Sequence, residues 1–360
     1  MRFEALRVVN VRCLVDVSIK PAPGLNVFVG DNGAGKTSLL EAISLLSRGR
    51  SFRRGARDAL MRRDADHLQV YGEIRDASGR LCRLGLGRQA GAWDIRLDGN
   101  PIERISDLLR HCAVVSFDPE SHALISGAAE ERRRFLDWGV FHVEHTFLDA
   151  WQRYQRALRQ RNTLLRGIKC ADARLFAPWE EEMTVTAQVV DRARQRYLSL
   201  LEPHLRDVCG RTLPELGQAM LVYRQGWNHA TSLAECLVAQ RERDFARGFT
   251  SAGIHRADWR LAFAGAPQRE FLSRGQEKLC ALACLLAQAR VYADSNDEWP
   301  IFCLDDLGSE LDGTHLADVV AQLHAAGAQA FITGTEASAV FSSTNNGMFH
   351  VEHGVVTPRA

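Results

Sequence analysis

Gly30-Asp31-Asn32-Gly33-Ala34-Gly35-Lys36-Thr37 fits the phosphate-loop pattern G-x-x-x-x-G-K-[ST], and it lies between an apolar run, Leu25 to Val29, and a helical run, Thr37 to Leu46. That context gives the pattern its meaning. Loop glycines let backbone N–H groups converge on phosphate oxygens, the helix N-terminus adds its dipole, and Lys36 supplies a point charge for the β/γ-phosphates. Thr37 brings a hydroxyl for a magnesium ion. The chain is expected to bind a nucleoside triphosphate with Mg2+ through Gly30, Asp31, Asn32, Gly33, Ala34, Gly35, Lys36, Thr37 and Ser38.

Two downstream segments narrow the class. The run Ile301-Phe302-Cys303-Leu304-Asp305-Asp306 is an apolar strand ending in adjacent carboxylates, followed by Ser309-Glu310-Leu311-Asp312. Such a strand directs a carboxylate at the magnesium from the C-terminal edge of the neighbouring strand, the role expected of Asp305. Asp306, one position on, points to the other side and is the candidate to orient or deprotonate a water molecule. Upstream of them, Ser273-Arg274-Gly275-Gln276 opens the helical run Glu277 to Arg290. Ser273 can cap that helix and Gly275 allows an anion close approach, which makes a second phosphate-binding end with Gln276 beside it. One nucleotide does not need two such ends from one chain. The economical arrangement is a head-to-tail homodimer with two shared nucleotides, and in this the sequence resembles the ABC-type ATPase heads.

At 360 residues the chain can hold one large or two medium domains. A net charge of +1 excludes a uniformly basic nucleic-acid binder, so any polyanion site is a local patch. Basic residues are almost all arginine, with lysine only at Lys20, Lys36, Lys169 and Lys278; arginine suits bidentate phosphate contacts, but a GC-rich genome is the better account of that bias. The nine cysteines show no C-x-x-C pair, and Cys280, Cys284 and Cys303 fall in apolar runs as small hydrophobes. That pattern suits a reducing compartment. With no signal peptide and no stretch of membrane-spanning length, a cytoplasmic protein without a membrane partner is expected.

Residues 1–118 read as strands around one helix, with hairpin turns at Ala77-Ser78-Gly79 and Asp98-Gly99-Asn100. Residues 119–250 change to long helical periodicity, with Trp151, Tyr154, Leu158 and Leu165 on one stripe and a further amphipathic run from Val185 to Leu205. Strand pattern returns at Trp259 to Phe263 and at Ala330 to Thr333. The expected fold is an α/β ABC-type P-loop head with a mixed and antiparallel β subdomain, split as residues 1–118 and 251–360 around a helical lobe at 119–250. A lobe helix of about 30 residues would span roughly 45 Å, a short lever. The pentapeptide Phe-His-Val-Glu-His occurs at 141–145 and 349–353 in helical and strand contexts, a coincidence, and His142 and His145 suit packing better than metal binding.

Nearly end to end, the chain resembles the recombinational gap-repair ATPases of the family that includes the SMC and Rad50 heads. The resemblance rests on Gly30 to Ser38, Gly49-Arg50-Ser51-Phe52-Arg53, Arg133-Arg134-Phe135-Leu136-Asp137, Tyr154 to Leu158 with Gln160-Arg161-Asn162, His255-Arg256-Ala257-Asp258, Ser273 to Gln276, and Leu304 to Asp312. Departures from the family pattern are Ala34, Ser38, Ile254, and the pair Ser121-His122. The resemblance implies an ATP-dependent dimer that binds DNA at gaps and junctions, promotes RecA loading with RecO and RecR, and supports replication and the SOS response. Its hydrolysis would be a weak, DNA-dependent ATPase activity. In place of a switch histidine, Phe331-Ile332-Thr333 leads to Gly334-Thr335, so a threonine is the candidate γ-phosphate sensor.

Two arginine concentrations are candidate DNA contacts: Arg50, Arg53, Arg54 and Arg57, flanked by Arg48, Arg62 and Arg63, and Arg153 and Arg156 with Arg159 and Arg166 on the first lobe helix. A solvated or structural face explains either cluster equally well from charge alone. The competing class is a transport-coupling ABC ATPase subunit, which shares loop, signature and Asp strand but calls for a shorter insertion. A P-loop kinase leaves Ser273 to Gln276 unexplained.

Overall fold

A computed structural model describes residues 1–52, 60–167, 172–266, 271–336, 338–341 and 346–359. The chain divides into two compact units, one formed by Met1–Ser121 with Tyr292–Ala360, the other by His122–Val291. The sequence reading places the lobe limits at 119 and 250; residues 251–291, with the Ser273 helix start, pack with the helical unit.

The first unit begins with strands β1 (Arg2–Val11), β2 (Leu14–Ile19) and β3 (Leu25–Val29), helix α1 (Lys36–Arg48), then β4 (His67–Arg75), β5 (Leu81–Gln89), β6 (Ala92–Leu97), β7 (Asn100–Pro101), α2 (Ile105–His111) and β8 (Val114–Phe117). The second unit contains α3 (Ala123–Ser126), α4 (Ala129–Val143), α5 (Phe147–Gly167), α6 (Ala173–Thr212), β9 (Ala219–Arg224), α7 (Leu233–Ala239), α8 (Arg241–Arg247), β10 (Asp258–Phe263) and α9 (Arg274–Asn296), within which the division falls. The chain returns to the first unit with β11 (Ile301–Leu304), α10 (Leu307–Glu310), α11 (Gly313–Ala326), β12 (Ala330–Gly334), β13 (Gly347–Glu352) and β14 (Val355–Pro358).

Two six-stranded sheets build the first unit: an antiparallel one ordered β2-β1-β4-β5-β6-β7, and one ordered β14-β13-β3-β12-β11-β8 in which only the β13–β14 pair is antiparallel. The phosphate-loop strand β3 and the Asp strand β11 are not neighbours, as the sequence reading had it; β12 lies between them and pairs with both. β3 is buried at all five residues because parallel strands are covered on both faces, which is why four of the five are apolar and the fifth, Asn26, bonds its side-chain amide to the Ala22 and Gly24 backbone. Helix α1 packs against both sheets, and all but two of its thirteen residues are buried. Leu39, Leu40, Ile43, Leu45 and Leu46 join Phe3, Val8, Val70 and Leu84 in one core, each fully buried leucine contributing about 1.5–3 kcal/mol.

In β1 the buried residues are Phe3, Leu6, Val8 and Val11, a sequence that changes parity twice. A register shift between Phe3 and Ala5 causes the first change, and Asn10, at φ 54°, the second. The buried Gln329 amide accepts from the Phe3 N–H at 2.7 Å and donates to the Phe3 carbonyl at 3.0 Å, tying the start of β1 to the segment before β12.

In the helical unit, α6 runs 40 residues, about 60 Å, longer than the lever expected from the sequence. Phe176, Met183, Val190, Tyr197, Leu201 and Leu205 recur every four or seven residues on its buried face, and that packing carries the helix through Pro178 and Pro203. Tyr154, Leu158 and Leu165 are buried on α5, as their spacing requires.

Candidate functional site

The loop after β3 is shaped by close approach on its outer side. Gly30 lies against β13, where a Cβ would overlap the Val351 carbonyl. The Lys36 side chain is buried and turns back into the loop, its ammonium donating to the Gly30 carbonyl at 2.7 Å and the Asp31 carbonyl at 2.9 Å. Its charge therefore sits where phosphate oxygens would meet it. The Ser38 hydroxyl faces away, 3.7 Å from the Cys13 Sγ in the turn between β1 and β2.

Beyond β12, the two carboxylates occupy distinct settings. Asp305 is 4% exposed, and its two oxygens accept the Thr37 hydroxyl at 2.9 and 3.0 Å. Thr333, buried at the end of β12, donates its hydroxyl to Asp305 Oδ1 at 2.7 Å and accepts the Asp306 N–H at 2.8 Å. One hydroxyl thus fixes both members of the pair, which the intervening strand makes possible. Asp306 adopts a left-handed conformation, φ 52°, uncommon for a residue other than glycine, and its half-buried carboxylate has no hydrogen-bond partner among the described residues. Of the threonines near the strand end, Thr333 is consumed by this network and Thr335 is exposed. Asp118, which ends β8 beside β11, is raised to about 6 by burial, with the Asp305 charge adding to the effect.

A hydroxyl and a carboxylate sharing one small space are hard oxygen donors suited to Mg2+, which takes one or two protein ligands and completes its shell with water and phosphate oxygens. Among the described residues no group of three or more His, Cys, Asp and Glu side chains is placed to hold a metal by itself.

In the other unit, the start of α9 is closed by reciprocal bonds. Gln276 N–H donates to Ser273 Oγ at 3.3 Å, and Gln276 Oε1 accepts the Ser273 N–H at 3.0 Å, a capping box read directly from Ser-x-x-Gln. Gln276 Nε2 also donates to Glu215 at 3.1 Å. Ser273, Arg274 and Gly275 are exposed.

The arginine clusters separate into different roles. Arg53, Arg54 and Arg57 lie outside the described residues. The segment leading to them is anchored on α1: Ser51 donates to the buried Glu41 at 2.6 Å, which also takes both ends of the Arg12 guanidinium at 2.8 and 3.1 Å. The segment leaving them is tied to β1, with the Arg62 N–H on the Asn10 carbonyl at 2.9 Å. Arg50, Arg62 and Arg63 are exposed, whereas Arg48 packs inward and donates to the Val114 carbonyl at 3.1 Å. On α5, Arg153 pairs with Glu182 of α6 at 2.7 Å, and Arg156 and Arg159 stand exposed without such a partner among the described residues. Glu41 was absent from the sequence reading, although a glutamate inside an otherwise apolar helix is the signal that would have found it.

The remaining motif residues form a buried frame around residues 250–258. Arg161 is wholly buried and donates to Glu180 at 3.1 Å, Asp244 at 2.8 Å and the Thr250 hydroxyl at 2.8 Å. Asn162 accepts from the Thr250 N–H and hydroxyl at 2.8 and 2.7 Å. Arg194 joins Asp137 to the Ile254 carbonyl, and Arg132 forms a two-pronged pair with Asp258. His255, its pKa held down to about 4 by burial, takes the Tyr154 hydroxyl at Nδ1, 2.7 Å, with Nε2 on the Thr250 carbonyl. His142 packs against Trp138, ring centroids 4.4 Å apart and planes tilted by 57°.

A phosphate loop and an Asp strand separated by one parallel strand, with an antiparallel sheet over the loop helix and a capped Ser-x-x-Gln helix downstream, define an ABC-type ATPase head. The model of the RecF/RecN/SMC N-terminal domain family matches residues 2–357. A DNA replication and repair protein RecF of Xanthomonas euvesicatoria is 45% identical over 367 residues, covering 100% of this chain and 99% of the relative. That of Shewanella frigidimarina is 36% identical, with 99% of each covered. The solved structure of the recombination mediator RecF with ATP, of the RecFOR pathway, superposes with a TM-score of 0.91 at 26% identity, over 99% of this chain and 97% of that one. The Smc head of Pyrococcus furiosus shares the fold, with a TM-score of 0.60 at 15% identity over 99% of this chain and 95% of that one. The chain belongs to the RecF/RecN/SMC N-terminal domain family and, within it, to the RecF proteins of DNA replication and repair.

Proposed function

We propose that this chain is an ATP-switched DNA-binding protein of recombinational gap repair and replication-fork maintenance, working as a homodimer that shares two nucleotides. The observations that support this reading are the loop with its buried Lys36 and, in the same chain, the capped, exposed start of α9, each a helix end suited to an anion.

Loop N–H groups and Lys36 hold the β/γ-phosphates of ATP, and Ser273 and Gly275 of a second copy close on the γ-phosphate. Thr37 and Asp305 would hold Mg2+, which when bound neutralises charge on the phosphates. Asp306 positions the attacking water and takes its proton as the water oxygen bonds the γ-phosphorus and the bond to ADP breaks. Its left-handed backbone, fixed through Thr333, sets the direction of that carboxylate. Hydrolysis is slow and DNA-stimulated, so that ATP serves as a conformational switch. The helical lobe is the lever that the switch moves.

DNA lies against Arg50, Arg53, Arg54, Arg57 and Arg156, with Arg153 a weaker contributor because Glu182 neutralises it. RecO and RecR are the partners through which the dimer promotes RecA loading and the SOS response, in the cytoplasm. No helix of the described residues is long and apolar enough to cross a membrane, and the relatives' names favour repair over a transport-coupling role.

Light scattering with and without ATP and duplex DNA tests the reading. ATP should double the mass, and DNA should raise the dimer fraction. Ser273→Arg should still bind ATP but remain monomeric, because the added cation fills the space needed for the partner's γ-phosphate; dimers of this variant would sink the shared-site reading.

A further inference from the structure

Two turns meet at the phosphate loop, that between β13 and β14 and that between β1 and β2. Strands β13 and β14 are joined by His353 and Gly354, with Glu352 paired to Val355 and both turn residues at positive φ, 47° and 79°. Positive φ at both central positions is the mark of a type I′ hairpin turn. The N–H of the second central residue is not used within such a hairpin. Here Gly354 donates it to the carbonyl of Ala34, in the middle of the loop, at 2.8 Å.

That bond has a geometric consequence. In a planar trans peptide the carbonyl and the following N–H point in opposite directions. Holding the Ala34 carbonyl outward on Gly354 therefore turns the Gly35 N–H inward, where the loop's amides converge on an anion. The neighbourhood leaves the turn no freedom to retreat. A Cβ at Gly354 would overlap the Cys13 carbonyl, and Gly35 is itself wedged between the Cys13 Sγ, Leu14 and the Gly354 Cα.

We infer that Gly354 is a positioning residue for nucleotide binding: the C-terminal hairpin aims the Gly35 N–H at the phosphates. The inference rests on the reading of this loop as the ATP site. Without the brace, the Ala34–Gly35 peptide is free to rotate, and the loop must select its binding-competent orientation at the expense of affinity.

The test uses the full chain in two forms. Glycolic acid at position 354, introduced as a backbone ester, removes the N–H and adds no atom to the crowded turn. It should weaken binding of a fluorescent ATP analogue about tenfold, the effect of one lost hydrogen bond, while the nucleotide-free melting temperature stays within a few degrees of the parent's. Gly354→Ala forces the Cys13 turn or the loop to shift and should lose affinity at least as far; should it fail to fold, the ester decides alone. Parent-like ATP affinity in the ester form, or in a folded Gly354→Ala, overturns the inference. Lys36→Ala, measured alongside, separates the two readings. Undiminished ATP binding in Lys36→Ala removes the loop as the site altogether, whereas loss there with an unaffected ester form rejects only the role of Gly354.

Discussion

Replacing Thr333 by Val isolates a single hydroxyl at the centre of the carboxylate pair. Valine keeps the β-branched shape that suits strand β12, so the backbone has no reason to move. Two interactions are lost at a position 1% exposed: the donor to Asp305 Oδ1 at 2.7 Å and the acceptor for the Asp306 N–H at 2.8 Å. A bond to a charged acceptor is worth about 1.5–3 kcal/mol, and an orphaned buried N–H costs about 1–3 kcal/mol. The new methyl returns about 0.8 kcal/mol. Thr37 still donates to both Asp305 oxygens, so that carboxylate is not stripped. The net loss should be about 3 kcal/mol, read as a lower urea midpoint with unchanged slope. On the proposal that Asp305 holds Mg2+, Thr333 orients that ligand, and the Mg2+ concentration that half-saturates ATP binding should rise about 10–100-fold. Thr335→Val, at an exposed position, should leave stability unchanged. A Thr333→Val protein as stable as the parent, with the same Mg2+ dependence, would refute the argument that this hydroxyl holds the pair.

Asp306→Asn should retain ATP binding and leave an ATP-bound dimer that persists in light scattering; rapid dissociation in excess ATP would count against Asp306 as the water-positioning group. Arg161→Ala leaves the buried Asp244 carboxylate without its cation, while Glu180 keeps Arg241, and should cost about 3–5 kcal/mol in urea unfolding; a loss under 1 kcal/mol would mean the frame relaxes around the gap. For His255 the folded pKa, about 4, lies below the ordinary 6.5, so its contribution is complete above pH 6.5 and is lost as pH falls toward 4. Between pH 7 and 5 the parent should lose about 2 kcal/mol more stability than His255→Gln, as unfolding at the two pH values will show. Replacing Arg53, Arg54 and Arg57 together by Ala should weaken duplex binding for all sequences alike and flatten the salt dependence by up to about 0.9 log units per lost phosphate contact; lost affinity at an unaltered salt slope would make these arginines structural.

Features of the fold set by local chemistry are legible in the chain. The strand Leu25–Val29 matches its apolar run residue for residue, and Thr37 and Asp305, far apart in sequence, meet as their motifs imply. Contacts set by topology are not legible. Nothing local in Ala330 to Thr333 says that this strand inserts between β3 and β11, yet that insertion brings Thr333 under both carboxylates. Arg153 reads as a free cation because its own helix offers few acids, and its partner Glu182 comes from the next helix. The amphipathic run read as Val185 to Leu205 is part of a helix that begins at Ala173, because a continuous buried stripe outweighs the backbone bonds lost at Pro178 and Pro203. The β1 alternation is blurred by a bulge that no residue type announces.

The central place of β3 bears on how the chain is made. Both of its neighbours, β12 and β13, lie roughly 300 residues downstream, which at ~5–20 residues per second leaves the strand without either for ~15–60 s during synthesis. Through that interval four apolar residues and Asn26, with unsatisfied backbone groups, must wait on the ribosome, and such long-range pairing is slow even once the chain is free. The helical unit, whose contacts close within its own stretch of chain, can fold in the meantime. Nascent chains halted before residue 347 should therefore carry a protease-resistant helical unit beside an open, chaperone-dependent head.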